Sequence, residues 1–497
     1  MHFPDKSEFL KLAATHDAVP VYRRLLCDSL TPVSAFKRID SGNEACLFES
    51  VVGGEVVGRY SFLAADPTRK ILARGNEVTI VDQAETRKLT SDNPLDEFRK
   101  QIETVRVAQL DDMPPFTGGA IGYAGYDVVR YVESLPNAPD DDRDLSDMSF
   151  AFYDSMLVFD NINKTLTIIA LAWIDGNAES AWSHATEKVN ALVDKLNTPE
   201  TDLVTIDTGR ESNQSLEFKS NFTRDEFKSS VDKCKEYIQA GDIFQVVISQ
   251  RLEVPVECDP FEVYRTLRVL NPSPFMFFVR TDEATLVGSS PEIMCRVVDG
   301  KMTVRPLAGT RPRGKDIAED KMLEQQLLAD EKERAEHVML VDLGRNDVGR
   351  VAEFGSIDLP DLMVVERYSH VMHISSTVTG QLRENCDAFD ALMASLPAGT
   401  VSGAPKVRAM EIIDEIENRR RGPYAGAVGY FDYSQNMDTC IALRTMVIVG
   451  DTAYVQAGAG IVADSDPDLE YEETLNKAKG LLRAIEMTHQ RLSPNSI

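Results

Sequence analysis

The sequence predicts an α+β fold built mostly from antiparallel β-sheets. Short apolar runs at 275–280, 285–288 and 293–298 follow one another with only a few turn residues between them. The helical patterns are grouped and do not alternate singly with the strands, which is typical of antiparallel sheets with helices beside them. The 497 residues are 43% hydrophobic and 27% charged, enough to bury a large core in two or three domains.

Residues 1–205 are predicted to form an N-terminal lobe of short strands and helices. Apolar runs on either side of Gly53-Gly54 indicate a pair of strands joined by a turn. The glycine-rich run 116–123 lacks the spacing of a nucleotide-binding loop, so we interpret it as a strand edge with closely packed backbone. The polar stretch 206–221 is the predicted linker.

Residues 222–490 are predicted to form the second domain. Thr223 and Glu226 have the spacing of a capping box, and the helix that they start is expected to end near Gly241. Further apolar runs predict strands at 243–250, 424–433, 441–449 and 452–457.

The stretch from Gly458 to Lys477 combines a small-residue segment with a helix start. Gly458 to Ile461 is predicted to be an open turn, and Asp466 and Pro467 suit the N-cap and the first position of the helix that follows. Glu470 and Glu473 are three residues apart on that helix, so their carboxylates share a face, which Lys477 also joins. The pattern suggests an anionic ligand held through a hard metal ion. Alone, it also fits a solvated helix with an acidic first turn.

A second acidic pair, Glu333 and Glu336, has the same spacing. Two such helices facing each other would offer only oxygen ligands, which suit Mg²⁺. His337 is expected to point to another face and is not counted as a ligand. The alternative is two exposed acidic helices.

Charge and cysteine usage exclude several classes of protein. The net charge of −27 argues against general binding of nucleic acids or anionic membranes, and an anionic substrate would need local positive groups. No run of about 18 apolar residues predicts a membrane span, and the N-terminus lacks the pattern of a secretory signal. Seven scattered cysteines without a CxxC pair indicate reduced thiols and a cytoplasmic protein.

Five motifs closely resemble those of the chorismate-utilising enzymes. They are SSPE at 289–292, RPLAGT at 305–310, DLGRND at 342–347, PAGTVSGAPK at 397–406 and GAGI at 458–461. The resemblance runs from about Thr223 to Leu482, with a weaker match before it. It implies a large α/β sandwich whose two halves enclose a chorismate site.

The resemblance also assigns binding roles. It implies that Glu336 and Glu473 are Mg²⁺ ligands, with Glu333 and Glu470 reaching the ion directly or through water, and that the ion grips the ring carboxylate of chorismate. Arg444 and Tyr424 look like the residues that hold the enolpyruvyl carboxylate. The rest of the implied site is lined by Thr400, Gly458, Gly460 and Lys477.

Catalytic roles follow by the same similarity. Family members that add water to chorismate carry a lysine base where this chain has Gln245, so the nucleophile here is expected to be ammonia. Glu292 matches the general acid that protonates the departing 4-hydroxyl as ammonia adds at C2, a role that needs a raised carboxyl pKa. His373 matches the histidine that assists elimination of pyruvate, and Thr310 is included in the catalytic set.

Ala308 separates two kinds of aminating member. Those that stop at aminodeoxychorismate typically have a lysine there, whereas the PLAGT form here implies that pyruvate is lost and anthranilate is formed. Aminodeoxychorismate formation remains the alternative. Isochorismate or salicylate formation is disfavoured by Gln245. A silent tryptophan-binding regulator is disfavoured by the intact catalytic set.

The N-terminal lobe resembles the family's tryptophan feedback site. An apolar pocket for an indole is expected, with Glu49 and Ser50 near the ammonium end. The predicted pocket residues are Phe48, Glu49, Ser50, Pro274, Phe275, Met276, Val428, Tyr430 and Cys440.

Ammonia would need an external source. The chain has no GxCxGxQ glutaminase motif, so a separate glutamine amidotransferase subunit and a hetero-oligomer are expected.

Overall fold

A computed structural model describes residues 1–50, 58–82, 84–199, 203, 216–368 and 371–492. In these ranges the helices are α1 Lys6–Ala13, α2 Pro32–Ile39, α3 Pro94–Glu103, α4 Ala178–Asn197, α5 Arg224–Ala240, α6 Pro260–Leu270, α7 Ile317–Ala329, α8 Glu331–Gly349, α9 Ala388–Ser395, α10 Lys406–Ile416 and α11 Pro467–Leu492. Short 3₁₀ turns occur at Tyr126–Tyr131 and Gly399–Val401.

The strands of the N-terminal part are β1 Ala18–Leu26, β2 Ala45–Glu49, β3 Tyr60–Ala65, β4 Arg69–Arg74, β5 Glu77–Asp82, β6 Thr86–Thr90, β7 Gly119–Ala124, β8 Met148–Tyr153, β9 Ser155–Asp160 and β10 Thr165–Trp173. Those that follow are β11 Lys219–Ser220, β12 Gln245–Pro255, β13 Phe275–Arg280, β14 Thr285–Ser290, β15 Ile293–Val298, β16 Lys301–Val304, β17 Leu307–Pro312, β18 Asp358–Arg367, β19 Val371–Gln381, β20 Gly403–Ala404, β21 Ala427–Asp432, β22 Met437–Ile441, β23 Thr445–Val449 and β24 Thr452–Ile461.

The strands form two 12-stranded antiparallel sheets, which confirms the predicted fold class. The first has the order β1-β10-β9-β3-β2-β13-β14-β23-β24-β12-β11, with β20 beside β12. The second has the order β17-β19-β16-β15-β22-β21-β7-β8-β4-β5-β6, with β18 beside β19. Helices flank both sheets, so their outer faces are covered.

The two predicted segments contribute to both sheets. Residues 1–205 supply five adjacent strands of each sheet, and the later residues supply the other seven. The two parts join through the pairing of β2 with β13 in the first sheet and of β7 with β21 in the second. The Gly53-Gly54 turn and residues 206–215 of the predicted linker lie outside the described residues, whereas Lys219 and Ser220 pair with β12.

The apolar core has three large parts, and Leu327, Met372 and Ile374 form a small fourth cluster. One lies between the sheets and includes Cys46, Ile121 and Phe277. Another packs α1, α2, α4, α6 and α11 against the first sheet. The third packs α3, α8 and α9 on the second sheet and α5 and α10 near β12. Burial of both faces explains why the strands are rich in apolar residues. No helix in the described ranges is long and apolar enough to cross a membrane.

Several local predictions are confirmed. Thr223 and Glu226 form the capping box of α5, which ends at Gly241 with a left-handed φ of 84°. Asp466 caps α11 by accepting hydrogen bonds from the amides of Asp468 and Leu469. The run 116–123 is closely packed, because a side chain at Gly122 would lie 1.9 Å from the carbonyl oxygen of Ser149.

Three predictions about strands were wrong. Gly458–Ile461 is not an open turn but the end of β24, paired with β12. The run 441–449 spans two strands in different sheets, because the chain crosses between the sheets at 442–444. β7, which includes most of run 116–123, lies inside the second sheet between β21 and β8 and not at an edge. In each case pairing with distant segments decides the outcome.

Candidate active site

The site lies where the chain passes twice between the two sheets. Residues 291–292 connect β14 to β15, and residues 442–444 connect β22 to β23. The Ile441 amide donates to the Glu292 carbonyl at 3.0 Å, and the Ser289 amide donates to the Arg444 carbonyl at 3.1 Å. These bonds tie the crossings together, and Arg444 adopts a left-handed φ of 47°, a strained conformation for this residue. Glu292 and Arg444 are therefore held in neighbouring backbone segments.

The Glu292 carboxyl group is buried, and only one of its two oxygens accepts hydrogen bonds from the described residues. Its Oε1 accepts a hydrogen bond from Thr400 Oγ1 at 2.8 Å and a longer one from the Leu307 amide at 3.4 Å. Burial raises the pKa of Glu292 to about 8, although both hydrogen bonds act in the opposite direction. Because the donors face Oε1, the acidic proton belongs on Oε2. A protonated carboxyl group at neutral pH can serve as a general acid.

A buried ion pair holds the turn that carries Thr400. Arg421 donates to Glu417 at 2.6 Å, to the Val401 carbonyl at 2.7 Å and to the Val247 carbonyl at 2.8 Å. Glu417 also accepts a bond from the Ser249 amide at 2.8 Å. The pair therefore connects the Gly399–Val401 turn to β12. Sequence reasoning missed this role of Arg421 and Glu417.

His373 lies on β19 with its imidazole held in one tautomer. Nδ1 is 2.9 Å from the Gly309 carbonyl oxygen and 3.1 Å from Thr310 Oγ1. Because a carbonyl can only accept, Nδ1 carries the hydrogen, and Nε2 of the neutral ring has the free lone pair. Burial lowers the pKa of His373, and the positive charge of Arg444 adds to the effect. His373 is thus suited to accept a proton at Nε2.

Tyr368 adjoins His373 and was also missed from the sequence. The two ring centroids are 5.6 Å apart with an angle of 61° between the planes. The Tyr368 hydroxyl donates to Glu366 at 2.8 Å. A tyrosine five residues before a histidine on a hairpin gives no sequence signal for this contact.

Gln245 connects β12 to the acidic face of α8. Its Nε2 is 3.5 Å from Glu336 Oε1, and its buried Oε1 has no hydrogen-bond partner among the described residues. Burial, Glu333 and Glu473 all raise the pKa of Glu336. The pKa of Glu470 is raised by burial and by Glu473. Carboxylates of α8 and α11 are therefore close enough to influence one another electrostatically.

The four carboxylates do not form a ready-made cage. Across the described ranges, no group of three or more histidine, cysteine, aspartate or glutamate side chains is placed to hold a metal. Glu333 pairs with Arg311 at 3.0 Å, and Glu473 pairs with Lys477 at 2.7 Å. Like charges repel, so the carboxylates turn to nearby cations. The all-oxygen donor set and the raised pKa of Glu336 nevertheless fit a divalent cation, which would relieve the same repulsion.

His337 lies beside these carboxylates in sequence but not on their face. It is fully buried, and its Nε2 is 2.6 Å from Ser376 Oγ. Burial lowers its pKa to about 4. This agrees with the prediction that His337 points elsewhere.

Several of the residues predicted to bind substrate are close to one another. Lys477 Nζ donates to the Gly458 carbonyl at 2.9 Å, and a Cβ atom at Gly458 would lie 2.9 Å from the Tyr424 hydroxyl. A Cβ atom at Gly460 would lie 2.5 Å from Gln245 Nε2. Both glycines thus allow side chains to approach the β24 backbone.

The guanidinium group of Arg444 is chemically available. It forms no hydrogen bond or ion pair with any residue that the structure describes, and burial lowers its pKa. A largely desolvated guanidinium without a carboxylate partner is an attractive site for an anionic ligand group.

The predicted feedback residues divide between the layer that separates the two sheets and the opposite face of the first sheet. Phe48, Phe275, Val428, Tyr430 and Cys440 belong to the apolar layer between the sheets. Pro274 precedes β13, and Ser50 follows β2.

Glu49 and Met276 have side chains on the opposite face of that sheet, because neighbouring residues of a strand alternate. The Glu49 carboxylate accepts hydrogen bonds there from Tyr264 at 2.6 Å and Arg268 at 2.9 Å. It therefore faces away from the layer that contains Phe48, which differs from its predicted position beside an indole-binding pocket.

Comparison with known proteins gives consistent results. The sequence model of the chorismate binding enzyme family matches residues 45–483. Anthranilate synthase component 1 of Acetivibrio thermocellus is 45% identical over 490 residues, covering 98% of this chain and 99% of the relative. The Synechocystis protein of the same name is 47% identical over 501 residues, covering 97% and 99%. The crystal structure of anthranilate synthase component I from Streptococcus pneumoniae TIGR4 aligns with a TM-score of 0.78 at 38% identity, covering 93% and 99%.

Proposed function

The chain belongs to the chorismate binding enzyme family, and we propose that it is the aminating component of an anthranilate synthase. It is thus a chorismate-utilising enzyme, and the proposed reaction converts chorismate and ammonia into anthranilate, pyruvate and water. The proposal rests mainly on the buried Glu292 carboxyl group, whose pKa is raised to about 8. Glu292 and Arg444 lie in two neighbouring segments that cross between the sheets. Relatives named anthranilate synthase component 1 support the choice of product.

The first proposed step is amination of the ring. Ammonia forms a bond to C2 while the C4–oxygen bond breaks. Glu292 gives its Oε2 proton to the departing hydroxyl group, which leaves as water. The resulting carboxylate recovers a proton from the new ammonium group. Gln245, whose amide has no basic lone pair, cannot activate a water molecule, which favours ammonia over water as the nucleophile.

The second proposed step is elimination of pyruvate. His373 accepts the C2 proton at Nε2 as the C3–oxygen bond breaks, and the ring becomes aromatic. The enolpyruvyl group leaves, takes up a proton and becomes pyruvate. The hydrogen bond from Nδ1 to Gly309 keeps Nε2 available, and the lowered pKa keeps the imidazole neutral beforehand.

Substrate binding would combine several positive groups in an acidic protein. Arg444 and Tyr424 are proposed to hold the enolpyruvyl carboxylate, with Thr400, Gly458, Gly460 and Lys477 around the ring. Bound Mg²⁺ would supply positive charge for the ring carboxylate. Glu336 and Glu473 would hold it, with Glu333 and Glu470 in support. These groups offset the net charge of −27 where the substrate binds.

Ammonia is proposed to come from a separate glutamine amidotransferase, giving a hetero-oligomer. The absence of a GxCxGxQ motif supports a separate subunit. The term "component 1" in the names of the relatives also implies a second component for those proteins. Seven dispersed cysteines support a reducing, cytoplasmic location.

The purified chain with chorismate, Mg²⁺ and ammonium is expected to produce anthranilate. The fluorescence of anthranilate measures its formation over time. The signal should require both Mg²⁺ and ammonium, and an excess of chelator should abolish it until Mg²⁺ is restored. Chorismate loss that leaves a non-aromatic amino product would favour aminodeoxychorismate formation. No chorismate loss would favour a silent binding protein and contradict the proposal.

We also propose tryptophan feedback through the apolar layer that contains Phe48. Phe48→Ala is expected to raise the tryptophan concentration for half-inhibition about tenfold or more, because an aromatic contact with the indole is lost. Activity without tryptophan should change little. The measurement is the inhibition curve of anthranilate formation.

Phe354→Ala is the matched control, because Phe354 is fully exposed between α8 and β18. It should leave inhibition unchanged. Equal inhibition curves for Phe48→Ala and the unchanged chain would contradict a tryptophan site in this layer.

A further inference from the structure

Glu366 on β18 is the centre of a polar network behind His373. Its carboxylate accepts hydrogen bonds from Tyr368, Arg305 and Ser375. Glu366 is also the register partner of His373 across the β18–β19 pairing. Three donors on separate segments fix one carboxylate, so the network is a rigid support next to the imidazole.

Tyr368 connects this network to the reacting groups. Its hydroxyl is held by Glu366 at 2.8 Å, and its ring meets the His373 ring at 5.6 Å with an inclined geometry. The backbone of Tyr368 is fixed as well, since its amide donates to the Val371 carbonyl at 2.8 Å and its carbonyl accepts from Arg313 at 2.8 Å. Tyr368 is also close enough to Arg444 and Glu292 to interact with both electrostatically.

The imidazole of His373 needs this support. Its hydrogen bonds from Nδ1 to Gly309 and Thr310 fix one edge of the ring, but they allow the ring to swing about that edge. The Tyr368 ring limits the swing from one side. The aim of Nε2 therefore depends on a tyrosine whose own position depends on Glu366.

We propose that Tyr368, anchored by Glu366, is a positioning residue that aims His373 Nε2 at the C2 proton. It thereby makes the chain release anthranilate and not the aminated intermediate. The inference rests on the proposed function. It assigns the network to the elimination step, whereas amination depends on Glu292.

The test compares two rates in the full chain supplied with chorismate, Mg²⁺ and ammonium. Chorismate loss reports amination, and anthranilate fluorescence reports elimination. Tyr368→Leu, which removes the ring, is expected to lower the anthranilate formed per chorismate consumed about tenfold, because a misaimed base slows only the second step. Tyr368→Phe keeps the ring and should show a smaller loss. The non-aromatic amino intermediate should accumulate in both variants.

Tyr237→Phe is the matched control, because the Tyr237 hydroxyl also donates to a glutamate, Glu415, at 2.7 Å but on the α5–α10 surface. It should keep the product ratio of the unchanged chain. If Tyr368→Leu lowers chorismate consumption and anthranilate formation equally, or leaves the anthranilate formed per chorismate consumed unchanged, the positioning role is wrong. The proposed function would not be affected by that result. If the unchanged chain consumes chorismate but releases no anthranilate, the proposed function fails and this proposal fails with it.

Discussion

Glu292→Gln is expected to lower the rate of chorismate consumption with ammonium about 10³-fold. Glutamine keeps the size of the side chain and can still accept a hydrogen bond from Thr400, but it has no acidic proton for the departing hydroxyl. The loss should appear in chorismate consumption and anthranilate formation alike, since both depend on the first step. Circular dichroism and thermal unfolding should match those of the unchanged chain. A variant that retains more than about a tenth of the rate would contradict the role of Glu292.

The role of Glu292 as a general acid also predicts how the rate depends on pH. Because the pKa of Glu292 is raised to about 8, its protonated form is present at neutral pH and is lost as the pH rises through that value. At a constant concentration of free ammonia, the rate should therefore fall on the alkaline side. The Thr400 hydrogen bond lowers this pKa, so Thr400→Val should move the falling limb to higher pH. If the fall in rate occurs at the same pH in Thr400→Val, it reflects the titration of another group.

Local sequence signals predicted the parts of the site that depend on one element. The spacing of Glu333 with Glu336 and of Glu470 with Glu473 placed each pair on one helical face, and both helices are present. The Asp466 cap was predicted for the same reason, since a helix start is encoded within a few residues.

Contacts between distant segments explain what the sequence could not predict. Gly458–Ile461 has the composition of a turn, yet pairing with β12 makes it a strand. Arg421 reaches the Val247 carbonyl across 174 residues of sequence, and Glu366 and Tyr368 acquire roles only through the β18–β19 pairing. The Glu49 carboxylate faces α6 because strand alternation sets its direction. The family motif predicted the place of Glu49 in the sequence but not the direction of its side chain.

Arg421→Met is expected to lower the free energy of unfolding by about 3–5 kcal/mol. The arginine is fully buried and pairs with Glu417, so removing it leaves a buried carboxylate without its cation. The substitution also removes the bonds to the Val401 and Val247 carbonyls, which hold the turn of Thr400 on β12. Urea unfolding followed by circular dichroism measures the loss.

Two further variants separate the buried charge from the lost packing. In the double variant Arg421→Met with Glu417→Gln, the unpaired charge is gone, so part of the stability should return. Arg408→Met is the control, because Arg408 pairs with Asp242 at the surface and such pairs contribute at most about 1 kcal/mol. Equal destabilisation by Arg421→Met and Arg408→Met would mean that the Arg421–Glu417 pair is not what holds the turn. A double variant that regains stability but still forms anthranilate slowly would show that Arg421 matters to catalysis through the position of Thr400.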